Sequence, residues 1–416
     1  MPSSEPLSVV IAGGGIAALE AVMALHDLAG ERVRPIIVAP EAEFELKPLR
    51  TAEPFSAGHV PRYAMSEIAE RFGAELRQGA LASVDAEAHA ITLADGSQLD
   101  YDALIVATGA RSRPAYERVI TFGADARTDI LSGLLADLEQ HYTRSVAFVV
   151  PPGVSWPLPL YEIALMAAAE VRSMGIDDAR MQIITPESTP LAIFGTEASE
   201  AVAKLLGEAG VEFRGDAYVA IERGGHITIR PGDETVQVDR IVALPILEGL
   251  GIDGLPSDEH GFVPIDDRGR VRGLTDVYAA GDGADFPVKQ GGLACQQADA
   301  IAQYLAAQAG APVEPRPFRP VLRGKLLTGR GSEFLRTALH GGAGPSEASD
   351  FALWYPPTKV SGHYLSQWLT HIDATARDEA SLPFDEPAVD IEVPLPSPYE
   401  LSRQAMRLDP LSPQHH

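Results

Sequence analysis

Leu7-Ser8-Val9-Val10-Ile11-Ala12-Gly13-Gly14-Gly15-Ile16-Ala17-Ala18-Leu19-Glu20 decides how this chain folds. Residues 7–12 form an apolar run too short for a helix and bounded by glycines, which predicts a buried strand. From Ile16 to residue 28 the apolar residues recur at helical spacing. Between strand and helix, Gly13-x-Gly15-x-x-Ala18 has the spacing of a dinucleotide fingerprint. The first glycine permits a tight turn. The second lets the backbone approach a pyrophosphate, whose charge the helix N-terminus stabilises. Ala18 stands where a third glycine is usual. The apolar run 34–39 then completes a βαβ unit. Its last residue is Ala39 where a ribose-binding acid is expected, so Glu41 is the nearest carboxylate.

Further along, residues 81–84, 90–93 and 104–107 read as strands, with Asp95-Gly96 as a hairpin turn. The opening pattern then repeats: a strand over 146–150, a helix over 160–171 and a strand over 181–185. Glu20 aligns with Glu162 in this register, and Val38-Ala39-Pro40-Glu41 is echoed by Ile184-Thr185-Pro186-Glu187. A third block runs from Val277 through Gly281-Asp282 to a helix over about 293–307. Pro312, Pro315, Pro317 and Pro320 mark a linker. The stretch 316–336 is basic and reads as a solvated hairpin. Residues 373–400 are acidic and rich in proline, a wrapping or loosely ordered tail.

The 416 residues suggest two to three domains, and the hydrophobic and charged fractions, 45% and 22%, are those of a globular protein. With 58 acidic against 33 basic side chains the net charge is −25, which argues against a nucleic-acid partner. A single cysteine cannot form an internal disulfide. The start Met1-Pro2-Ser3-Ser4-Glu5 lacks a basic leader, and prolines 151, 152, 157 and 159 break the most apolar stretch, so a cytoplasmic protein is expected. No histidine or cysteine spacing has the quality of a metal site, and no metal is assigned.

Three features in order resemble the FAD-dependent pyridine-nucleotide-disulfide oxidoreductase superfamily. They are the fingerprint, the strand Tyr101-Asp102-Ala103-Leu104-Ile105-Val106-Ala107-Thr108-Gly109, and Val277-Tyr278-Ala279-Ala280-Gly281-Asp282. Within it, Phe44-Glu45-Leu46-Lys47-Pro48-Leu49 and Lys289-Gln290-Gly291-Gly292-Leu293-Ala294-Cys295-Gln296-Gln297-Ala298 look like flavin-side segments of the sulfide:quinone and type-2 NADH:quinone oxidoreductases. The resemblance covers roughly residues 7–310 and implies an α/β fold. That fold has two Rossmann-like dinucleotide-binding domains, each of three layers (ββα), plus a C-terminal capping or dimerisation domain. The expected division is 1–115 and 246–310 for the FAD-binding domain, 116–245 for a degenerate NAD-type domain, and 311–416 for the rest.

The same resemblance implies FAD as cofactor. It would be held by Gly13, Gly15, Ile16, Ala17 and Ala18, then by Glu41, Lys47, Pro48 and Leu81. Ala107, Thr108, Gly109 and Arg111 follow, and then Gly281, Asp282, Lys289, Gly292 and Leu293. Asp282 would meet the ribitol, and the helix opened by Gly291-Gly292 would face the reducible ring. Catalytic candidates are Cys295, Glu162 and Lys289. A helix N-terminus would lower the Cys295 thiol pKa, making it a nucleophile, against the plainer reading of a packed small residue. Glu162 would relay a proton or serve only the helix dipole.

By the Glu20/Glu162 register, Ser155, Pro157 and Leu160 stand where the second domain should carry glycines, so poor NAD(P)H binding is expected. The leading expectation is electron transfer from a small reductant through FAD to a quinone-like or other acceptor. An NAD(P)H-dependent FAD reductase and an FAD-binding protein without turnover remain open. Tyr364, Leu365, Trp368, Leu369 and Ile372 share one helical face, which is a membrane or quinone edge, a homodimer contact, or a face packed on the flavin domain.

Overall fold

The computed structural model describes residues 5–123, 129–222, 224–339, 346–373 and 377. Leu7–Ala12 is a central strand, and Gly15 starts helix α1, Ile16–Ala29. Helices α2, Leu158–Ser173, α3, Gly291–Gln308, and α4, Leu365–Ile372, recur below.

Leu7–Ala12 lies in an all-parallel five-stranded sheet, flanked on one side by Val33–Ala39 and then Glu75–Gln78. On its other side lie Ala103–Val106 and then Val277–Ala279, so the chain returns to this sheet after a long excursion. A second five-stranded sheet, also parallel, is built around Ser145–Val149 with four of its strands in the same arrangement. Its outer strand Ile120–Thr121 comes first of the five in the chain, whereas Val277–Ala279 comes last in the first sheet. Arg180–Ile184 and Val211–Arg214 lie to one side of that strand, and Arg240–Ala243 and Ile120–Thr121 to the other. The duplication expected from the sequence is therefore a duplicated sheet.

The layering follows from the period of two along each buried strand. Val9 and Ile11 point into a core shared with α1 and α3, whereas Val10 and Ala12 point to the opposite face. There they meet Val84, Ile91 and Leu93 of a three-stranded antiparallel sheet spanning Leu81–Asp85, Ala90–Leu93 and Gln98–Asp100. The second unit repeats the device. Val146 and Phe148 face α2, while Ala147 and Val149 face Ile227 and Ile229 of another antiparallel three-stranded sheet. Helix, parallel sheet and antiparallel sheet form the three layers in both units.

Beyond the proline-rich connection, Val321–Leu327 and Ser332–Ala338 form a hairpin completed by Ser346–Ser349. This hairpin is more than a solvated excursion, because Leu322, Leu326 and Leu335 are buried in the α2 core. Helix α4 lays Leu365 and Leu369 into the α1 core, and Trp368 meets Tyr63 and Phe72 edge-on. Most of its apolar face is packed inside the molecule, and Ile372 at its end is exposed. The tail expected over 373–400 lies outside the described residues apart from Asp373 and Arg377.

Candidate functional site

The C-terminal ends of the first sheet open onto a cleft of about 760 Å³, inside the range of small-molecule and cofactor sites. Backbone proximity makes its floor. Gly13 has φ +136° and donates its N–H to Val38 O at 2.7 Å. A Cβ on Gly13 would lie 2.1 Å from Ala107 O, so no other residue fits there. Gly15 caps α1, and a Cβ there would meet nothing within 4 Å, so its backbone faces open space. Together they form a cradle with a helix N-terminus behind it, suited to a phosphate. Helix α3 is capped by Gln290, whose side chain accepts from Leu293 N at 2.8 Å and donates to Arg323 O at 3.1 Å.

Of the residues singled out in the sequence, Gly13, Gly15, Ile16, Ala17, Glu41, Lys47, Pro48 and Leu81 line the cleft. Ala107, Thr108, Gly109, Gly281, Asp282 and Lys289 line it too. Six do not. Ala18 is buried in the core behind the loop. Arg111 points outward to Glu248 at 3.5 Å. Gly292 and Leu293 sit one step behind the lining residues Gly291 and Ala294, with Leu293 in the α2 core. Cys295 and Glu162 require fuller corrections.

Cys295 is fully buried, and its pKa is pushed up by burial and by Glu20 and Asp299, the reverse of the lowering expected from helix position. A Cβ on Gly362 would sit 2.8 Å from Cys295 Sγ, so the chain passes directly over the sulfur. Helix position would lower a thiol pKa only where the thiolate is solvated or paired with a cation. Here its neighbours are acidic, and the geometry is that of packing.

Glu162 is also fully buried and does not line the cleft. It accepts from Leu327 N at 2.9 Å and from Lys359 Nζ, and Lys359 donates as well to Lys325 O at 2.7 Å. Burial pushes the Glu162 carboxyl up while Lys359 pulls it down. Lys359 does line the cleft, so Glu162 reaches the site through this lysine. No local signal in the sequence marks Lys359. It arrives from a distant loop, as do the lining residues Trp156, Phe286 and Val360.

The polar centre of the cleft is Asp282, Lys289 and Lys47. Burial raises the Asp282 carboxyl pKa against the pull of the two lysines. Burial also pushes Lys289 down to about 8, opposed by Asp282, Asp285 and Asp258. Lys289 Nζ donates to Ala284 O and lies 3.8 Å from the centre of the Phe262 ring.

The equivalent corner of the second sheet opens onto the same cleft through Gly153, Val154, Ser155, Trp156, Leu158 and Pro159, but it carries no second glycine cradle. Pro157 precedes α2, and Leu160 is buried in the core. The hairpin strand Val321–Leu327 lies so close that a Cβ on Gly324 would fall 2.5 Å from Phe194 and 2.7 Å from Leu158. Glu187, the counterpart of Glu41, accepts from Tyr161 OH at 2.7 Å and Thr185 Oγ1 at 3.0 Å. Burial raises its pKa to about 7 against those hydrogen bonds. Glu41 opens into its cleft, whereas Glu187 is satisfied from within. Among the described residues no three His, Cys, Asp or Glu side chains are grouped to hold a metal ion, and no helix is long and apolar enough to cross a membrane.

Known proteins agree with this architecture. The family model for pyridine nucleotide-disulphide oxidoreductases matches residues 162–311. An NADH dehydrogenase-like protein of Mycobacterium tuberculosis is 24% identical over 295 residues, covering 66% of this chain and 72% of that protein. The sulfide:quinone oxidoreductase of Aquifex aeolicus shares the fold with a TM-score of 0.74 at 17% identity, over 90% of this chain and 92% of that one. A ferredoxin reductase of Rhodopseudomonas palustris superposes with a TM-score of 0.59 at 18% identity, over 80% and 83% of the two chains. The glycine loop, the paired three-layer units and the family match over residues 162–311 make this chain similar to the pyridine nucleotide-disulphide oxidoreductases.

Proposed function

We propose that this protein is an FAD-dependent oxidoreductase that takes electrons from a small reductant other than NAD(P)H and passes them to a quinone-like or other acceptor. The observation that carries the reading is the contrast between the two nucleotide corners. One is an open glycine cradle; the other, which faces the same cleft, has Ser155, Pro157 and Leu160 in place of the glycines, and its carboxylate Glu187 is held by the Tyr161 hydroxyl. The division of the chain at about residues 115, 245 and 310 goes with this reading.

The residues of the open cleft fit FAD. The Gly13–Gly15 backbone and the α1 N-terminus suit the pyrophosphate, and Glu41 suits a ribose hydroxyl. Asp282, desolvated in the cleft floor, suits a ribitol hydroxyl. When bound, FAD supplies the capacity to accept two electrons from one substrate and release them to another. The chain's part is electrostatic. The N-terminus of α3 and the Lys289 ammonium favour negative charge at the ring end of the cleft. The Lys359–Glu162 pair holds a proton at Lys359 Nζ on the cleft wall. With one cysteine in the chain, and that one buried away from the cleft, an intrachain disulfide relay has no place.

Anaerobic mixing with NADH, NADPH and sulfide, followed through the flavin absorbance, tests the proposal. Yellow protein that resists both nicotinamides supports it. Rapid bleaching by micromolar NADH supports instead an NAD(P)H-dependent reductase, the reading in keeping with the name of the mycobacterial relative. Protein that stays colourless with added FAD refutes the cofactor assignment.

A further inference from the structure

The cleft has a second wall that the cofactor-holding residues do not make. The second three-layer unit contributes ten lining residues, from Phe122 to Pro245, and none of them is charged. Their only polar side-chain groups are the Ser155 hydroxyl and the Trp156 indole N–H. Phe122, Val154, Trp156, Leu158 and Leu244 belong to one apolar cluster, which Phe286 joins from the first unit. Fully buried Phe194 backs Trp156, with ring centres 5.7 Å apart. The wall also adjoins the polar centre of the cleft, because Phe286 and Pro287 fall between Asp282 and Lys289 on one lining segment.

An anion would find few partners on this wall. Prolines 151, 152, 157 and 159 remove four amides from the loop and first turn of α2. Val154 N and Leu160 N already donate to Pro151 O and Pro157 O. Asp285, at the edge of the wall, accepts Ile265 N at 3.0 Å and lies 4.0 Å from Arg272. On the adjoining strand Glu248 pairs with Arg111 and Arg113, and none of these three lines the cleft. A phosphate or carboxylate brought here would lose its water without replacement, whereas a flat apolar ring would gain contact with Trp156, Phe122 and Phe286.

We infer that this wall is the substrate subsite and that the small reductant it takes is a neutral, largely apolar, ring-bearing molecule. The inference rests on the FAD reading above, which puts the reducible ring beside Lys289 and hence beside this wall. It narrows the reductant by charge and shape: dinucleotides and small inorganic anions are disfavoured alike.

The test is equilibrium dialysis of full-length, FAD-loaded protein at neutral pH against two probes. One is 2-naphthol, uncharged under these conditions, and the other is 2-naphthalenesulfonate, the same ring with a fixed negative charge. The expected result is saturable 2-naphthol binding at one site per flavin, with the sulfonate bound at least tenfold more weakly. W156A should weaken 2-naphthol at least tenfold, and W156F, which keeps an aromatic face, less than threefold. V154R sets a cation in the wall and should reverse the preference between the two probes. Sulfonate binding as tight as that of 2-naphthol overturns the inference. So does yellow protein that fails to bind 2-naphthol, or binding that both W156A and V154R leave unchanged. Protein that stays colourless with added FAD overturns the FAD reading instead, so the flavin absorbance separates the two failures.

Discussion

Replacing Asp299 by Asn should leave stability near pH 4 nearly unchanged, make the variant progressively more stable than wild type as pH rises, and remove a pH dependence that the wild type shows between about pH 4 and 9. Glu20, fully buried on α1, places one carboxylate oxygen on Tyr364 N at 2.8 Å and the other on Leu365 N at 2.7 Å. It thereby caps α4, whose N-cap Tyr364 makes no side-chain capping bond. Both Glu20 oxygens act as acceptors, so the hydrogen bond between Glu20 and Asp299 takes its proton from Asp299. Burial and the Glu20 charge push Asp299 up to about 9. Asp27 and Tyr364 complete the polar surroundings, and Cys295 packs beside the pair with its thiol also raised.

The folded state thus holds a proton that the unfolded chain releases near pH 4. The associated stability is complete below that value and is lost as pH rises toward about 9. The loss is at most about 1.4 kcal/mol per pH unit. The amide introduced by D299N still donates to Glu20 and does not titrate, so this variant should flatten the slope. E20Q is the opposite perturbation. It exchanges an acceptor for an NH2 group facing a buried N–H, losing one charge-assisted bond and stranding a donor. Together these cost about 3–5 kcal/mol. Urea midpoints at pH 5, 7 and 9, with limited proteolysis to report release of α4, measure both. A D299N slope as steep as that of wild type, or an E20Q variant as stable and protease-resistant as wild type, refutes the reasoning.

G13A drives a methyl group into Ala107 O, so the purified variant should contain little FAD, read from the ratio of flavin to protein absorbance; normal loading would show that the cradle is not the binding loop. Iodoacetamide should label Cys295 at least ~100-fold more slowly in native than in unfolded protein, because the thiol is buried and its pKa raised. Rapid native labelling that substrate prevents would restore it as a nucleophile. Y161F removes the hydroxyl donor to Glu187, which should cost about 1–3 kcal/mol without speeding flavin reduction by NADH. A gain in NADH reactivity would mean that this hydrogen bond alone closes the second corner.

What the sequence disclosed, and what it withheld, divides along one physical line. The Gly13 turn, the Asp95-Gly96 hairpin and the helix opened at Gly291 are legible because backbone geometry within a few residues dictates the residue type. The alternation Val9, Val10, Ile11, Ala12 shows a strand buried on both faces, which is why two layers could be expected around it. Charge states obey a different logic. Cys295 near a helix start suggested a thiolate, yet its pKa is raised first by burial, to which the loop through Gly362 packed on the sulfur contributes, and then by Glu20 on α1 and Asp299. Glu162 kept its place in the duplicated register but met Lys359, whose position no spacing encodes. The echo of Glu41 in Glu187 was visible, while the Tyr161 hydroxyl that satisfies Glu187 was visible only as one more aromatic. A fingerprint therefore reports where the backbone can admit a nucleotide. Whether a carboxylate or thiol beside it is free to act is set by tertiary neighbours, and in this chain those neighbours silence Cys295 and Glu187 while leaving Asp282 and Lys289 in the open cleft.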